Sequence, residues 1–170
     1  MAGEVIKISS TVGVDSLVYA KLLKDDATGV EYAAVKEMEG AVKIKTSKKV
    51  ALSTKADIEG YPEVKDGVLD EKREGEKPYL AIGWRFLKAN GKYRYVWLLK
   101  GKLSQEEEEG ETKKDKPNFQ TTKLKGSFIE RDFDDRPKFT ADADEPTFTK
   151  AVGDNWFKKV YEKAITPSQK

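Results

Sequence analysis

The chain has 170 residues, 36% of them charged, and its 32 basic and 30 acidic residues leave a net charge of only +2. This length suits one domain with a real core, whereas the balanced charge argues against an electrostatic nucleic-acid binder. The absence of cysteine and histidine excludes disulfides, thiolate nucleophiles and histidine-based catalytic or zinc sites.

The first part of the chain predicts short strands, two of which pair as a hairpin. Residues 5–8 alternate in polarity, and residues 17–23 form a stronger strand candidate. A polar turn over residues 25–29 precedes a returning strand over residues 30–35. Residues 41–45 alternate apolar side chains with lysine, as in a strand with one face exposed to solvent.

The stretch from residue 46 to residue 75 carries a weaker signal. It is rich in lysine and glutamate, and Gly60, Pro62, Gly67 and Gly75 interrupt any regular pattern. We expect a loop with at most one short strand or helical turn.

The clearest predicted element is a hairpin over residues 79–100. Asn90 and Gly91 are the preferred pair for a type I′ turn, in which both central residues have positive φ. This turn would place three cross-strand pairs on one core-facing face: Ile82 with Leu99, Trp84 with Trp97, and Phe86 with Tyr95. The opposite face would carry Ala81, Gly83, Arg85, Val96, Leu98 and Lys100.

An extended charged loop is predicted over residues 103–119. It contains the acidic run Glu106, Glu107, Glu108 and Glu109, followed by Lys113 and Lys114. Dense like charges repel one another and resist burial, so we expect a solvated loop.

The last part of the chain predicts two strands and one amphipathic helix. Residues 121–133 resume strand character, residues 132–137 break it, and residues 138–141 can pair back. Asp154 is a candidate cap for a helix over residues 155–165. Its packing face would consist of Trp156, Val160 and Ala164, flanked by Phe157 and Tyr161. The pattern therefore predicts a mainly β domain of antiparallel strands with one flanking C-terminal helix.

Two functional interpretations of these residues compete with a purely structural one. The hairpin aromatics could stack on single-stranded nucleic acid, but the predicted alternation places aromatic rings and arginines on opposite faces, which favours a core. The acidic residues at 132, 134 and 135, and those at 142, 144 and 145, could bind a cation, but they lack the glycine and terminal glutamate of a calcium loop. Phosphate-binding and nucleophile motifs are missing from the sequence, so we expect no enzyme activity, cofactor or metal.

Two further features bear on location. No apolar run reaches the roughly 20 residues that a membrane-spanning helix requires. Residues 1–5 lack the basic start and apolar stretch of a secretory signal. We therefore expect a protein that is made and folded in a cytoplasm.

Several segments, in this order along the chain, resemble the major tail proteins of long non-contractile-tailed bacteriophages, the phi13-type family. They are VDSLVYAKL (14–22), DGVL (66–69), KPYLAIGW (77–84), NGKYRYVWL (90–98), KPNFQT (116–121) and WFKKVY (156–161). The resemblance spans most of the chain, although residues 42–65 form a shorter and more lysine-rich stretch than is usual in that family.

The resemblance implies a single tail-tube domain over residues 1–170, a β-sandwich or barrel with a flanking helix and with N- and C-terminal arms. The charged loop over residues 103–119 would then be long enough to contact a neighbouring subunit. Such subunits form hexameric rings that stack into a tube around a tape-measure protein, and DNA later passes through the bore. The implied partners are other copies of the chain, the tape-measure protein and other tail proteins. DNA would pass without specific binding, no membrane would be involved, and the protein would reside in the virion tail after assembly in the host cytoplasm. The alternative is a monomeric β module that binds single-stranded nucleic acid or carbohydrate through the hairpin of residues 79–100.

Overall fold

The computed structural model describes residues 4–8, 14–38, 50–72, 75–105 and 124–163. Within these residues the chain forms an eight-stranded antiparallel sheet and two short helices, which confirms the mainly β fold with a flanking helix. The strands are β1 (Glu4–Ile8), β2 (Val14–Asp26), β3 (Gly29–Tyr32), β4 (Lys36–Glu37), β5 (Leu80–Leu87), β6 (Tyr93–Gln105), β7 (Leu124–Ile129) and β8 (Lys138–Asp142). The helices are α1 (Leu52–Glu59) and α2 (Lys150–Asn155).

The sheet is built on two long strands that flank β5. The order is β1-β7-β6-β5-β2-β3, with β4 also beside β2 and β8 also beside β6. Strands β2 and β6 have 13 residues each, so each is long enough to pair with two shorter strands along its outer edge. The predicted first hairpin is confirmed as β2 and β3, in which Asp26 pairs with Gly29.

Strand β8 does not pair back onto β7 as its position in the sequence suggested. Instead β7 pairs with residues 100–105 of β6, and β8 pairs with residues 94–98 of the same edge. Residues 130–137 connect the two strands, and the Leu99 N–H donates to the Pro137 carbonyl at 3.0 Å, within the normal range for an amide hydrogen bond. The two strands are therefore successive pieces along one edge.

The register of the central hairpin differs by one residue from the prediction. Its loop is a three-residue turn closed by a bulge: the Gly91 N–H donates to the Lys88 carbonyl at 3.0 Å, and Gly91 has φ +80°. Asn90 is not among the residues with positive φ, so the expected type I′ turn is wrong. The observed pairs are Ile82 with Leu98, Gly83 with Trp97, Trp84 with Val96, Arg85 with Tyr95, and Phe86 with Arg94.

This shift distributes the hairpin aromatics over both faces of the sheet, so their predicted placement on one face is wrong. Ile82 lies on the face covered by α1, where Trp84 packs against the same cluster. Tyr95, Trp97 and Leu99 lie on the other face. Because side chains alternate along a strand, a slip of one residue exchanges every face assignment on that strand.

Both faces of the central strands are covered. On the first face, Leu17, Leu80 and Ile82 pack against Ile58 of α1. On the second face, residues 148–163 lie across the sheet, and we call this segment the C-terminal strap. Its Trp156 and Val160 are buried against Trp97 and its neighbours.

The predicted helix over residues 155–165 is wrong. Helix α2 ends at Asn155, and the strap continues as a turn and then without regular structure to residue 163. The Trp97 indole N–H donates to the Trp156 carbonyl at 2.9 Å, an acceptor that a continuing helix would need for itself. Tyr161 stacks on Trp156 with ring centroids 5.1 Å apart. These tertiary contacts therefore take the place of the predicted helix over residues 155–165. Asp154, predicted as the cap of that helix, lies inside α2.

Two other expectations meet the structure only in part. A full helix, α1, lies in the stretch predicted as loop, and it ends at Gly60, which has the left-handed φ of +74°. Its buried residues are Thr54, Ala56 and Ile58, a spacing without helical periodicity. The predicted loop over residues 103–119 begins too early, because β6 continues through Gln105 and Leu103 is fully buried. The predicted strand over residues 41–45 lies outside the described residues.

We expect Gly83→Ala to destabilise the fold because of the observed register. A Cβ atom on residue 83 would lie 2.7–2.8 Å from the ring of Trp97, which is fully buried and cannot move away. Overpacking of this kind costs about 1–3 kcal/mol of unfolding free energy, measurable by urea denaturation. In a double-mutant cycle, Trp97→Phe should reduce this cost, and strictly additive effects would contradict the pairing of residues 83 and 97.

Candidate functional site

A buried arginine joins three separate parts of the chain. The side chain of Arg131, which is 0% exposed, forms a two-pronged ion pair with Asp134, at 3.0 and 2.5 Å. Its Nη1 and Nη2 atoms donate to Glu162 of the strap at 2.5 and 3.1 Å. The same guanidinium lies 3.4 Å from the hydroxyl of Tyr32 in β3. The arginine therefore fixes the strap and the first hairpin to the turn that follows β7.

The protonation states in this cluster follow from its contacts. Burial alone would lower the pKa of Arg131, but hydrogen bonds to Asp134 and Glu162 outweigh it and raise the pKa further above its usual value. Burial raises the pKa of Tyr32 to about 12. At neutral pH the cluster therefore contains a permanent cation and a neutral phenol.

A second buried ion pair lies at the end of the first hairpin. The Lys100 ammonium contacts Asp25 at 2.7 Å, and the two side chains are only 7% and 5% exposed. Asp25 also accepts hydrogen bonds from the backbone N–H groups of Asp132 and Phe133, at 2.8 and 2.9 Å. Burial would raise the pKa of Asp25, but the Lys100 and backbone hydrogen bonds outweigh it, and the pKa is lowered. The two ion pairs hold the turn after β7 from both sides.

The tip of the central hairpin is held by a third set of charges. Lys88 binds both Asp142 and Asp144, and Arg94 binds Asp142 at 2.7 Å. The Lys88 hydrogen bond is the main cause that lowers the pKa of Asp142 to about 2. These acids, considered above as cation ligands, are therefore occupied by basic side chains.

The remaining charged cluster fixes α1 to the sheet. Asp57 accepts from Tyr19 at 2.8 Å and pairs with Lys21 and Lys36 at 2.6 and 2.7 Å. Burial would raise the pKa of Asp57, but the hydrogen bonds from Lys21, Lys36 and Tyr19 outweigh it and lower the pKa. The cluster positions the helix over the first face of the sheet.

The predicted hairpin residues divide into buried and accessible groups. Tyr95, Trp97 and Leu99 are buried, as is Ile82, whereas Trp84 and Phe86 are partly exposed. The expectation that aromatic rings and arginines occupy opposite faces is wrong. Arg94 pairs with Phe86 across the strands, and the Arg85 guanidinium lies 4.2 Å from the Tyr93 ring centroid.

The strap residues predicted for helix packing do face the sheet, but from an irregular segment. Trp156 and Val160 are buried, and Phe157 and Tyr161 are half-buried. Tyr95 lies within ring-contact distance of Phe148, Trp156 and Phe157, with centroids 5.8, 5.7 and 6.2 Å apart. The candidate inter-subunit residues Glu106, Glu107, Glu108, Glu109, Lys113 and Lys114 lie outside the described residues.

Four strands of the sheet have an unpaired edge among the described residues: β1 and β3 at its two ends, and β4 and β8, which pair only with β2 and β6. Among the described residues, β1 pairs only with β7, and β3 pairs only with β2. Each edge presents backbone N–H and C=O groups that can pair with a further strand. Continuation of the sheet by another strand is an interaction that such an edge allows.

The described residues contain no group of three or more acidic side chains placed to hold a metal ion. None of the helices that they form is long and apolar enough to cross a membrane. The chain matches no family model, no curated protein and no solved structure.

Sequence reasoning missed the charged pairs. Arg131 and Glu162 are 31 positions apart, and Asp25 lies 107 positions from Asp132, so no local pattern reveals either contact. Asp132 and Asp134 were predicted as possible cation ligands, and their actual partners are Lys100 and Arg131. The acidic cluster therefore indicated that basic groups lie nearby, but only the fold identifies which ones.

We expect Arg131→Met to lower the free energy of unfolding by about 3 kcal/mol, since it leaves carboxylates without their buried partner. Urea denaturation measures this change. Arg136→Met is the matched control, because Arg136 is 39% exposed and its contact with Asp134 is 3.5 Å. The control should cost less than about 1 kcal/mol. Equal costs at the two arginines would contradict the role assigned to Arg131.

The lowered pKa of Asp25 predicts a specific pH dependence of stability. A carboxylate with a depressed folded-state pKa stabilises the fold above its unfolded value of about 3.9, and this contribution is lost as the pH falls through the folded-state pKa. The stability difference between wild type and Asp25→Asn should therefore be largest at neutral pH and shrink below about pH 4. Urea midpoints across this range, with Asp154→Asn as an exposed control, test it. A difference that is constant with pH would contradict the assignment.

Proposed function

We propose that this chain is a structural subunit of a phage tail tube, which assembles with its own copies into stacked rings, hexameric in number, around a DNA conduit. The observation that carries the proposal is a sheet whose central strands are covered on both faces while β1 and β3 each leave one edge unpaired among the described residues. A subunit with two different open edges can join head to tail, and such contacts close into a ring when the rotation allows. Sheet continuation between subunits would satisfy both edges.

The sequence resemblance supports the same proposal. Three of its six segments fall on the central framework: residues 14–22 in β2, residues 77–84 leading into β5, and residues 90–98 in the hairpin loop and β6. Residues 156–161 lie in the strap that covers the second face. The resemblance therefore involves the residues that form the rigid part of the subunit.

The charge arrangement also suits a structural role without catalysis. Among the described residues, the most buried charged groups form ion pairs that hold chain segments together. Lys100 pairs with Asp25, and Arg131 pairs with Asp134 and Glu162. Perturbed groups in a catalytic site face a cleft where a substrate can reach them. In this chain the buried ion pairs face the interior, so we assign them a role in stabilising the subunit. The proposed partners of the subunit are its own copies, the tape-measure protein and other tail proteins.

The second candidate is a monomeric binding module for single-stranded nucleic acid or carbohydrate. The observation that favours it is the hairpin tip, where Arg85 lies over Tyr93 and Arg94 lies near Phe86, with both rings partly exposed. Stacking needs free ring faces, however, and each of these rings already has a guanidinium beside it. Burial of Trp97 and Tyr95 removes the central part of the platform.

Electron microscopy and sedimentation velocity of the purified protein over a wide concentration range distinguish the candidates. We expect rings or tubes that grow with concentration. A protein that stays monomeric throughout, and whose tryptophan fluorescence responds to oligonucleotides in a salt-dependent way, would overturn the tube proposal in favour of the binding module.

Proline substitutions at adjacent positions of β1 test the role of its edge. Neighbouring residues on a strand direct their N–H groups to opposite sides, so only one of Ile6→Pro and Lys7→Pro removes a hydrogen bond to β7. The other removes a donor from the outer edge. The variant that loses the hydrogen bond to β7 should have a lower melting temperature. The variant that loses only the outer donor should keep the wild-type melting temperature and lose assembly. Normal assembly by that variant would show that the β1 edge is not the contact.

A further inference from the structure

The segment that follows α1 contains a tight hairpin that is exposed to solvent. The Val68 N–H donates to the Lys65 carbonyl at 2.8 Å, and the Lys65 N–H donates to the Val68 carbonyl at 3.1 Å. Between them, Asp66 and Gly67 have φ values of +54° and +75°, as in a type I′ turn. We call residues 61–72 the Asp-Gly loop, and its turn has a defined conformation.

Contacts with the body of the protein hold the Asp-Gly loop in place. Gly60, which precedes the loop, lies against Pro78, two residues before β5 begins. Near the other end of the loop, Glu71 binds Lys55 of α1 at 2.5 Å. The loop therefore starts beside the first residues of β5 and is held against α1. A segment that is fixed before binding loses little conformational entropy when it meets a partner.

The other end of β5 also carries a fixed turn, the hairpin tip of residues 85–94. Lys88 binds both Asp142 and Asp144, and the Asn90 side chain donates to Asp144 at 2.9 Å. Strand β5 has eight residues, so the tip and the start of the Asp-Gly loop are separated by about 23 Å along the strand. The two turns therefore lie at opposite ends of the central strand.

Each of these turns presents an exposed apolar side chain. Val68 in the Asp-Gly loop is 66% exposed, the largest value among the large apolar side chains of the described residues, and Leu87 at the tip is 51% exposed. A single exposed apolar residue is common on protein surfaces. Val68 and Leu87 differ from that case because each lies on or next to a turn that other contacts hold in place.

The two turns have opposite charge. The Asp-Gly loop contains four acidic and two basic residues, and one negative charge remains after Lys55, the partner of Glu71, is counted. At the tip, three basic groups share two carboxylates, so these five groups together carry one positive charge. They are Lys88, Lys92, Arg94, Asp142 and Asp144. The loop and the tip are therefore complementary in charge.

We propose that the Asp-Gly loop of one copy docks on the hairpin tip of a second copy, with Val68 packed against Leu87. The inference rests on the proposed function, because stacked rings need contacts along the stack as well as around each ring. Unlike surfaces at opposite ends of β5 join copies head to tail, and such a contact can repeat from ring to ring. Two loops or two tips would bring like charges together, which disfavours a head-to-head arrangement.

The first experiment uses the absence of cysteine from the chain. Full-length Val68→Cys and Leu87→Cys variants are mixed at low concentration, concentrated until the wild type would assemble, and oxidised. Each chain then has one cysteine, so every disulfide joins two copies, and it forms only where the Cα atoms approach within about 7 Å. Non-reducing gel electrophoresis measures the yield of linked dimers, and mass spectrometry identifies the linked peptides.

We expect the mixture to give at least about fivefold more linked dimer than either variant alone. A mixture of Val68→Cys with Ile129→Cys is the matched control, since Ile129 is 44% exposed and lies on β7, away from the tip. Equal yields from the control mixture, or a predominance of dimers linked through two copies of the same cysteine, overturn the proposal.

The second experiment changes the docking side chain. Val68→Lys removes the apolar contact and places a positive charge opposite the basic tip, so it should raise the concentration needed for tube formation at least about tenfold. Val68→Ile keeps an apolar side chain and should assemble as the wild type does. Ile129→Lys is the matched control for adding a charge at an exposed apolar position. Melting temperatures check that each variant is folded, and electron microscopy measures assembly.

These outcomes separate the inference from the proposed function. If the wild type forms tubes and Val68→Lys forms them equally well, the Asp-Gly loop is not the contact, and the tube proposal stands. If the wild type forms neither rings nor tubes, the tube proposal fails, and the disulfide yields alone decide whether two copies dock through the loop and the tip.

Discussion

The fold depends on how the permanent charge of Arg131 is accommodated. A guanidinium cannot lose its proton to escape burial, so the chain must bring carboxylates to it. Asp134 comes from the same turn, but Glu162 must come from the strap. Docking of the strap is therefore coupled to neutralisation of the arginine, and the docked strap in turn excludes water from Trp97. One ionic contact thus links the turn after β7, the strap and the second face of the sheet.

The sequence predicts the positions of the strands better than the register in which they pair. Apolar runs bounded by turn residues identified β2 and β5, whose central residues are buried on both faces, whereas β7 shows the alternation of a half-buried strand. The alternation does not reveal whether the Asn90–Gly91 hairpin loop has two or three residues, yet that single residue decides which face receives Trp84 and Trp97. The loop type depends on Gly91 alone having positive φ, a choice between two conformations that the same dipeptide permits.

The C-terminal segment and the ionic clusters show a different limit. Helical periodicity is present over residues 155–165, but the contact between the Trp97 indole and the Trp156 carbonyl outweighs this local preference. The partners of Asp25 and Arg131 come from distant parts of the chain, so only the topology could place them together. What local sequence encodes is the pattern of burial, whereas partners are encoded by the register and crossing of the strands.

The balanced net charge has a physical consequence for a protein that meets its own copies. Positive and negative residues are not mixed uniformly: β7 and the adjoining part of β6 carry lysines without acids, and residues 106–109 are all glutamate. A total charge near zero keeps long-range repulsion between identical copies small, while unlike surfaces on each copy favour one relative orientation over others. A sequence with the same net charge but with its positive and negative residues evenly mixed would reduce the repulsion equally. It would not favour one relative orientation of two copies. The separation of charge along the chain, more than its sum, is therefore the feature of this sequence that would suit the ordered self-assembly we propose.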